Sequence, residues 1–181
     1  VVAPEQDFLS KSMVVALKDY VRAGGRLVVS GAAAFDRFGG EFLGVKSAKA
    51  EEKKTYHVPA SEGTSPVYSD KSRLLKPTRA KGIGQLGRTP LFDERLLPHP
   101  AATVNKIGRG RVAYVPAAIF RDFNRNRYPI TRRFIGEVTR AAAGRLDIEV
   151  DAPTAVDVVL RHRGPAKVVH LINRSSGIPN L

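Results

Sequence analysis

With 181 residues, 43% apolar and 26% charged, the chain has room and composition for one ordinary domain plus a small appendage, which excludes a disordered chain. The absence of cysteine excludes disulfides, thiolate metal sites and cysteine nucleophiles together, and leaves the redox compartment open. The formal net charge of +13 raises nucleic acid as a partner, but residues 1–45 carry five basic and five acidic side chains and residues 146–181 four of each. The excess therefore sits in the middle, ten basic against four acidic over 46–88 and ten against two over 106–145.

Val1-Val2-Ala3-Pro4 reads as the end of a buried strand, with the expectation that chain and any targeting signal lie upstream of it. Ser10 is the expected N-cap of a helix to about Ala23, with Met13, Leu17, Tyr20 and Val21 on one face and Gly24 past its end. Arg26 to Ser30 is a short apolar run suited to a strand covered on both faces, so strand, helix and strand make a βαβ unit. Gly31-Ala32-Ala33-Ala34 then leaves the strand at the sheet edge where α/β proteins place ligands. Phe38 to Val45 reads as a short helix closed by Gly44.

From Lys46 to about Pro100, Pro and Gly break short apolar pieces such as Thr55 to Val58, and the expectation is an irregular insertion of short strands and loops. Ala102 to Ile107 and Arg111 to Val115, around Gly108-Arg109-Gly110, predict a hairpin. Pro129 fits the first turn of a helix to about Ala143, with Ile130, Phe134, Val138 and Ala142 at i+4 steps and Gly144 as its stop. Leu146 to Val150, Ala155 to His162 and Lys167 to Asn173 read as alternating strands, the last two joined at Arg163 to Ala166. The division expected is an α/β domain over 1–148 and the first hairpin of a C-terminal β domain over 149–181. No run approaches the ~20 apolar residues that cross a bilayer, so no membrane partner is expected.

The stretches LSKSMVVALKDYVRAGGRLVVSG, GGEFLGV and NKIGRGRVAYVPAAIF, the helix led by Arg127-Tyr128-Pro129, and VVHLIN resemble, in this order, the glutamine-amidotransferase-like domain of certain glycoside hydrolases. That domain is the β-galactosidase trimerisation domain of glycoside hydrolase family 42 and related glycosidases. The resemblance covers about residues 1–173. It implies a three-layer, flavodoxin-like α/β domain with a mainly parallel sheet, truncated at its N-terminus. It also implies an upstream catalytic (β/α)₈ barrel and a homo-oligomer as partners. True class I amidotransferases place a Cys after the strand matching Leu27–Ser30, and a His and Glu after a later strand; here those turns read Ser30 to Ala34 and Pro116-Ala117-Ala118. The resemblance thus implies the fold without the amidotransferase activity, and no cofactor.

Ser30 beside Gly31 lacks the G-x-S-x-G elbow of a hydrolase nucleophile, and a Ser ending a strand commonly bonds local backbone. His57, His99, His162 and His170 show no metal-ligand spacing, and no metal site is expected. Glycoside hydrolysis needs two carboxyl groups ~5–10 Å apart. Asp36, Glu41, Asp93, Glu94 and Asp122 are read instead as surface or ion-pair residues, because the family carries its acid and nucleophile on the barrel. The loops after Ser30 and Val115 hold Phe35, Phe38, Arg37, Phe120, Arg121, Phe123, Arg125, Arg127 and Tyr128, and aromatic residues with Arg are enriched in protein interfaces. Phe38 and Phe120 are expected to pack inside their own domain, leaving Phe35, Arg37, Arg121, Phe123, Arg125, Arg127 and Tyr128 as the candidate interface. The function this implies is a non-catalytic structural and oligomerisation domain. The alternative is a basic nucleic-acid-binding or other ligand-binding module built on the same Arg-rich segment.

Overall fold

Ser10 starts the first helix: its Oγ accepts the Met13 N–H at 3.1 Å, satisfying one of the donors a helix N-terminus leaves open. In the computed structural model, which describes residues 1–5, 8–60, 63–87, 96–144, 148–153 and 155–174, this helix is α1 (Lys11–Arg22), between β1 (Val2–Ala3) and β2 (Arg26–Ser30). β1 and β2 are parallel, with Val2 opposite Val28, so the expected βαβ unit is present. The face α1 buries is Val14 and Val21 with Leu17 half-buried, whereas Met13 and Tyr20 are 50% and 41% exposed. Both sets satisfy helical spacing, and β2 selects the first. Val2 is 48% exposed, so β1 is less buried than its sequence suggests.

β2 runs through the Gly31 turn into α2 (Ala32–Phe38), followed by α3 (Gly40–Leu43). Gly44 ends α3 with φ of +70°, and its carbonyl accepts the N–H groups of Thr78, Arg79 and Ala80 at 2.9 to 3.1 Å. A left-handed residue is needed there, and a Cβ on it would lie 2.6 Å from the Asn105 side chain.

The region expected to be irregular is the most extended part of the molecule. β3 (Val45–Ala60), β4 (Gly63–Pro77), β5 (Lys81–Gly87) and β6 (Leu96–Ile107) are long antiparallel strands. β7 (Gly110–Val115) completes a seven-stranded sheet of order β1-β2-β7-β6-β5-β3-β4 among the described residues. Only β1, β2 and β7 run parallel, so the sheet is mixed rather than mainly parallel. The β6–β7 hairpin forms as expected, with Ile107 opposite Gly110 across Gly108-Arg109.

Residues after Val115, read as a loop, form α4 (Ile119–Asn126), and Pro129 opens α5 (Pro129–Ala143) as expected. Alternate residues of the central strands serve opposite faces. Leu27, Val29, Val112 and Tyr114 pack with α1, α2 and α3; Val28, Ala113 and Val115 pack with Ile119, Phe134, Val138 and Ala142 of α4 and α5. The result is a mixed α/β domain with helices on both sides of one large sheet. Each fully buried Leu, Val or Phe contributes roughly 1.5–3 kcal/mol over its exposed state.

The described chain divides into two units, Val1–Gly144 and Arg145–Leu181. In the second, β8 (Val156–Arg163) pairs antiparallel with β9 (Ala166–Asn173) around Gly164-Pro165. Val159, Val168, Val169, Leu171 and Ile172 of this hairpin are all more than a third exposed. Of the strand expected over 146–150, residues 148–150 have no regular structure and Leu146 and Asp147 lie outside the described residues.

Candidate functional site

The C-terminal edge of β1, β2 and β7 is where a parallel sheet offers its ligand site, and a cavity of about 310 Å³ opens there. Glu5, which follows β1 at φ +29°, reaches across it. Ser30 donates its hydroxyl proton to Glu5 Oε1 at 2.7 Å and accepts the Glu5 N–H at 3.2 Å. The same carboxylate accepts the N–H groups of Phe120 and Arg121, each at 3.1 Å, at the first turn of α4. It therefore supplies the acceptor that Ala118, an N-cap without a polar side chain, does not.

These contacts decide what Ser30 can do. Its side chain is buried, its proton is committed to a carboxylate, and no histidine lines the cavity. The Gly31 N–H, where a hydrolase keeps an oxyanion donor, is shared between the carbonyls of Val115 and Ala117 at 3.0 and 3.1 Å. The Gly31-to-Ala34 run lines the cavity and opens α2, but it holds neither an activated nucleophile nor a free amide pair at Gly31.

The expected carboxylates separate. Asp36 pairs with Arg73, Glu41 lies 3.7 Å from Arg79, and Asp93 and Glu94 fall outside the described residues. Asp122, expected at the surface, is instead buried in α4 at 3% exposure. Its Oδ1 accepts the Tyr68 N–H at 3.1 Å and the Asn126 amide at 2.8 Å, tying β4 to the helix. His99 Nδ1 lies 2.8 Å from the Leu75 carbonyl, and His162 and His170 are exposed on the β8–β9 hairpin. Among the described residues no three of His, Asp or Glu gather as metal ligands, and no helix is long and apolar enough to cross a membrane.

The candidate interface residues divide. Arg37 and Arg121 line the 310 Å³ cavity, and Arg121 and Arg125 line an adjoining one of about 230 Å³. Arg37 donates to the Leu9 carbonyl at 2.8 Å. Phe35 turns inward against the core, with the Arg73 guanidinium 5.0 Å above its ring. Phe123 is half-buried, and Arg127 and Tyr128 are exposed where α4 passes to α5. Arg127 holds φ at +53°, a left-handed cap at the end of α4. Phe38 is buried as expected, and Phe120 is partly buried against the core.

Sequence reasoning missed Glu5, Ser69, Asp70 and Lys71, which line the main cavity. For Glu5 a signal existed. Pro116-Ala117-Ala118 ahead of a helix contains no capping side chain, so the acceptor had to come from elsewhere in the chain.

No family model matches the chain, and no curated protein sequence does. Solved structures do match in fold. The cold-adapted β-galactosidase of Rahnella sp. R3 superposes with a TM-score of 0.63 at 19% identity, over 96% of this chain and 27% of that one. Gan42B, a GH42 β-galactosidase from G. stearothermophilus, gives 0.60 at 19% identity, over 96% and 26%. The β-galactosidase of Bacillus circulans sp. alkalophilus gives 0.58 at 16% identity, again over 96% and 26%. The chain thus has the fold of a region found in glycoside hydrolases and spans about a quarter of their length.

Proposed function

We propose that the chain is a non-catalytic structural and oligomerisation domain of a glycoside hydrolase, of the amidotransferase-like, trimerisation type. One observation carries this reading: at the strand edge that would hold a nucleophile, Glu5 accepts the hydrogen bond of the Ser30 hydroxyl and caps α4. The fold likeness to about a quarter of each of several β-galactosidases supports the same reading, because a catalytic region then belongs to the rest of the protein. In this reading the partners are an upstream (β/α)₈ barrel and further copies of the protein. The β8–β9 hairpin is the start of a β domain.

The contact surface proposed is α4 and the turn after it, with Arg37, Arg121, Phe123, Arg125, Arg127 and Tyr128; Phe35 supports it from beneath Arg73. Exposed Arg121, Arg125 and Arg127 beside half-buried Phe123 and exposed Tyr128 suit an interface in which the rings are covered and the guanidinium groups meet carboxylates. In the full-length protein, replacing Arg121, Phe123 and Arg125 together by Ala should lower the oligomer mass by light scattering or the glycosidase turnover, with unchanged circular dichroism. Mass and turnover both at wild-type values would refute this surface.

A further inference from the structure

The cavities of about 310 and 230 Å³ adjoin, sharing Ser69, Asp70, Ala118 and Arg121, so the Tyr68 to Lys71 stretch of β4 and helix α4 form the two sides of one groove. We propose that this groove is a binding site for a neutral saccharide. The groove shares Arg37, Arg121 and Arg125 with the contact surface proposed above, so saccharide and protein partner would compete there; the saccharide reading stands on the groove's own chemistry and not on that surface.

Charge is the first argument. The chain carries 30 basic against 17 acidic side chains. The groove is lined by Arg37, Lys71, Arg121 and Arg125 against Glu5, Asp70 and Asp122, a near balance on a strongly basic molecule. Glu5 is engaged by Ser30 and the α4 amides, and Asp122 is buried and bound through Oδ1 to Tyr68 and Asn126, so Asp70 is the exposed carboxylate, beside exposed Lys71, Arg121 and Arg125. Neighbouring acceptors and donors match vicinal hydroxyls, each of which donates and accepts at once. A nucleic-acid backbone would instead meet Asp70, with no unbroken run of cations.

Shape and rigidity are the second argument. Tyr68, 52% exposed, lines the groove and offers a flat apolar ring of the kind that covers the C–H face of a pyranose. Both sides are held in place before any ligand arrives. The Tyr68 N–H is bound by Asp122 at 3.1 Å, Ser69 Oγ accepts the Ala118 N–H at 3.0 Å, and that hydroxyl donates to the Lys71 carbonyl at 2.6 Å. These bonds fix the segment carrying Tyr68 and Asp70 against the helix carrying Arg125. A groove fixed in this way loses little freedom when it binds.

The test is a titration of the ¹⁵N-labelled 181-residue chain with lactose and cellobiose, run beside L-glutamine and a single-stranded oligonucleotide. The disaccharides should shift the amides of Tyr68 to Lys71 and Arg121 to Arg125. Tyr68→Ala and Asp70→Ala, both at exposed positions, should each weaken binding about tenfold, while Lys18→Ala should leave it unchanged. The proposal is overturned if neither disaccharide moves those amides, or if both variants bind as the wild type does. Preferential binding of glutamine at the groove would identify an amino-acid site instead, and preferential binding of the oligonucleotide would identify a nucleic-acid one; either result also overturns it.

Discussion

Leu27 to Ser30 and Val112 to Val115 are buried without a break, whereas β4 buries Ser65, Ser69 and Ser72 alongside Val67, Leu74 and Leu75. The parallel strands lie between helices on both faces and are held by close fit of backbone and apolar side chains. The antiparallel ribbon is held by particular polar ties: Ser65 to Thr131, Tyr68 N–H to Asp122, the Arg73 N–H to the Pro116 carbonyl and the Arg73 guanidinium to Ala32 and Asp36. Steric substitutions should therefore break the first half, and removal of single hydroxyls the second.

The largest effect is expected at Gly110, where β7 passes the last turn of α1. A Cβ there would sit 1.8 Å from the Val21 carbonyl oxygen and 2.8 Å from that of Gly25. Both obstacles are main chain, so no side-chain rotation relieves them. Gly110→Ala should cost about 3 kcal/mol or more, or abolish folding, as read from urea unfolding. An unchanged midpoint would show that α1 and β7 are not held as closely as described.

Thr131 tests the other half, and it needs a paired design. Its hydroxyl and that of Ser65 are each other's partner inside the molecule. Thr131→Val keeps the shape and strands the Ser65 hydroxyl, which should cost about 1–3 kcal/mol; adding Ser65→Ala should recover most of that, because a buried pair removed together leaves no unmet donor. If the double variant is no better than the single one, the tie is not what holds β4 to α5.

This contrast also explains what could be read from the sequence. α1, β2, the β6–β7 hairpin and α5 announce themselves because their buried positions are apolar and their ends carry Ser10, Gly24, Pro129 and Gly144. β3 and β4 are hidden because half of what β4 buries is serine, because Pro59 and Pro66 interrupt them, and because the register shifts between Ser47 and Lys49. From the sequence the outer strands of the sheet therefore read as an insertion, and the sheet as a mainly parallel one. At the candidate site, Arg121 and Arg125 could be picked out by residue type. Glu5 and Asp122 act through bonds to residues 115 and 54 positions away, and spacing along the chain carries no trace of such distances.

A smaller effect separates the halves by pH. Tyr114, on β7, is fully buried and donates to the Gly31 carbonyl at 3.2 Å. Burial raises its pKa far above the usual tyrosine value; nearby Asp36 adds to the rise and Arg73 offsets part of it. The folded state therefore keeps a proton that the unfolded chain gives up. This contribution to stability is fully present below pH about 10 and is lost as pH rises further. Of the five tyrosines, the Tyr114 phenol should stay un-ionised in ultraviolet difference spectra until the protein unfolds. Tyr114→Phe should flatten the alkaline fall in stability while costing about 1 kcal/mol at neutral pH. A phenol at this position that titrates in the folded protein would contradict the packing of β7 against α2.

The smallest effect has the opposite sign and probes α5, the helix that covers strands of both halves. Gly136 lies in its interior, and a Cβ added there would meet nothing nearer than the Arg140 guanidinium at 3.8 Å, ordinary van der Waals contact with the end of a flexible side chain. No positive φ requires glycine at this site. Glycine in the middle of a helix costs conformational entropy on folding that alanine does not, so Gly136→Ala should stabilise the protein by roughly 0.5–1 kcal/mol. The gain should survive in the Thr131→Val background, because residues 131 and 136 share no hydrogen bond and the two changes act on different parts of the balance. A loss of stability on Gly136→Ala would mean that α5 meets a surface at this point where only glycine fits.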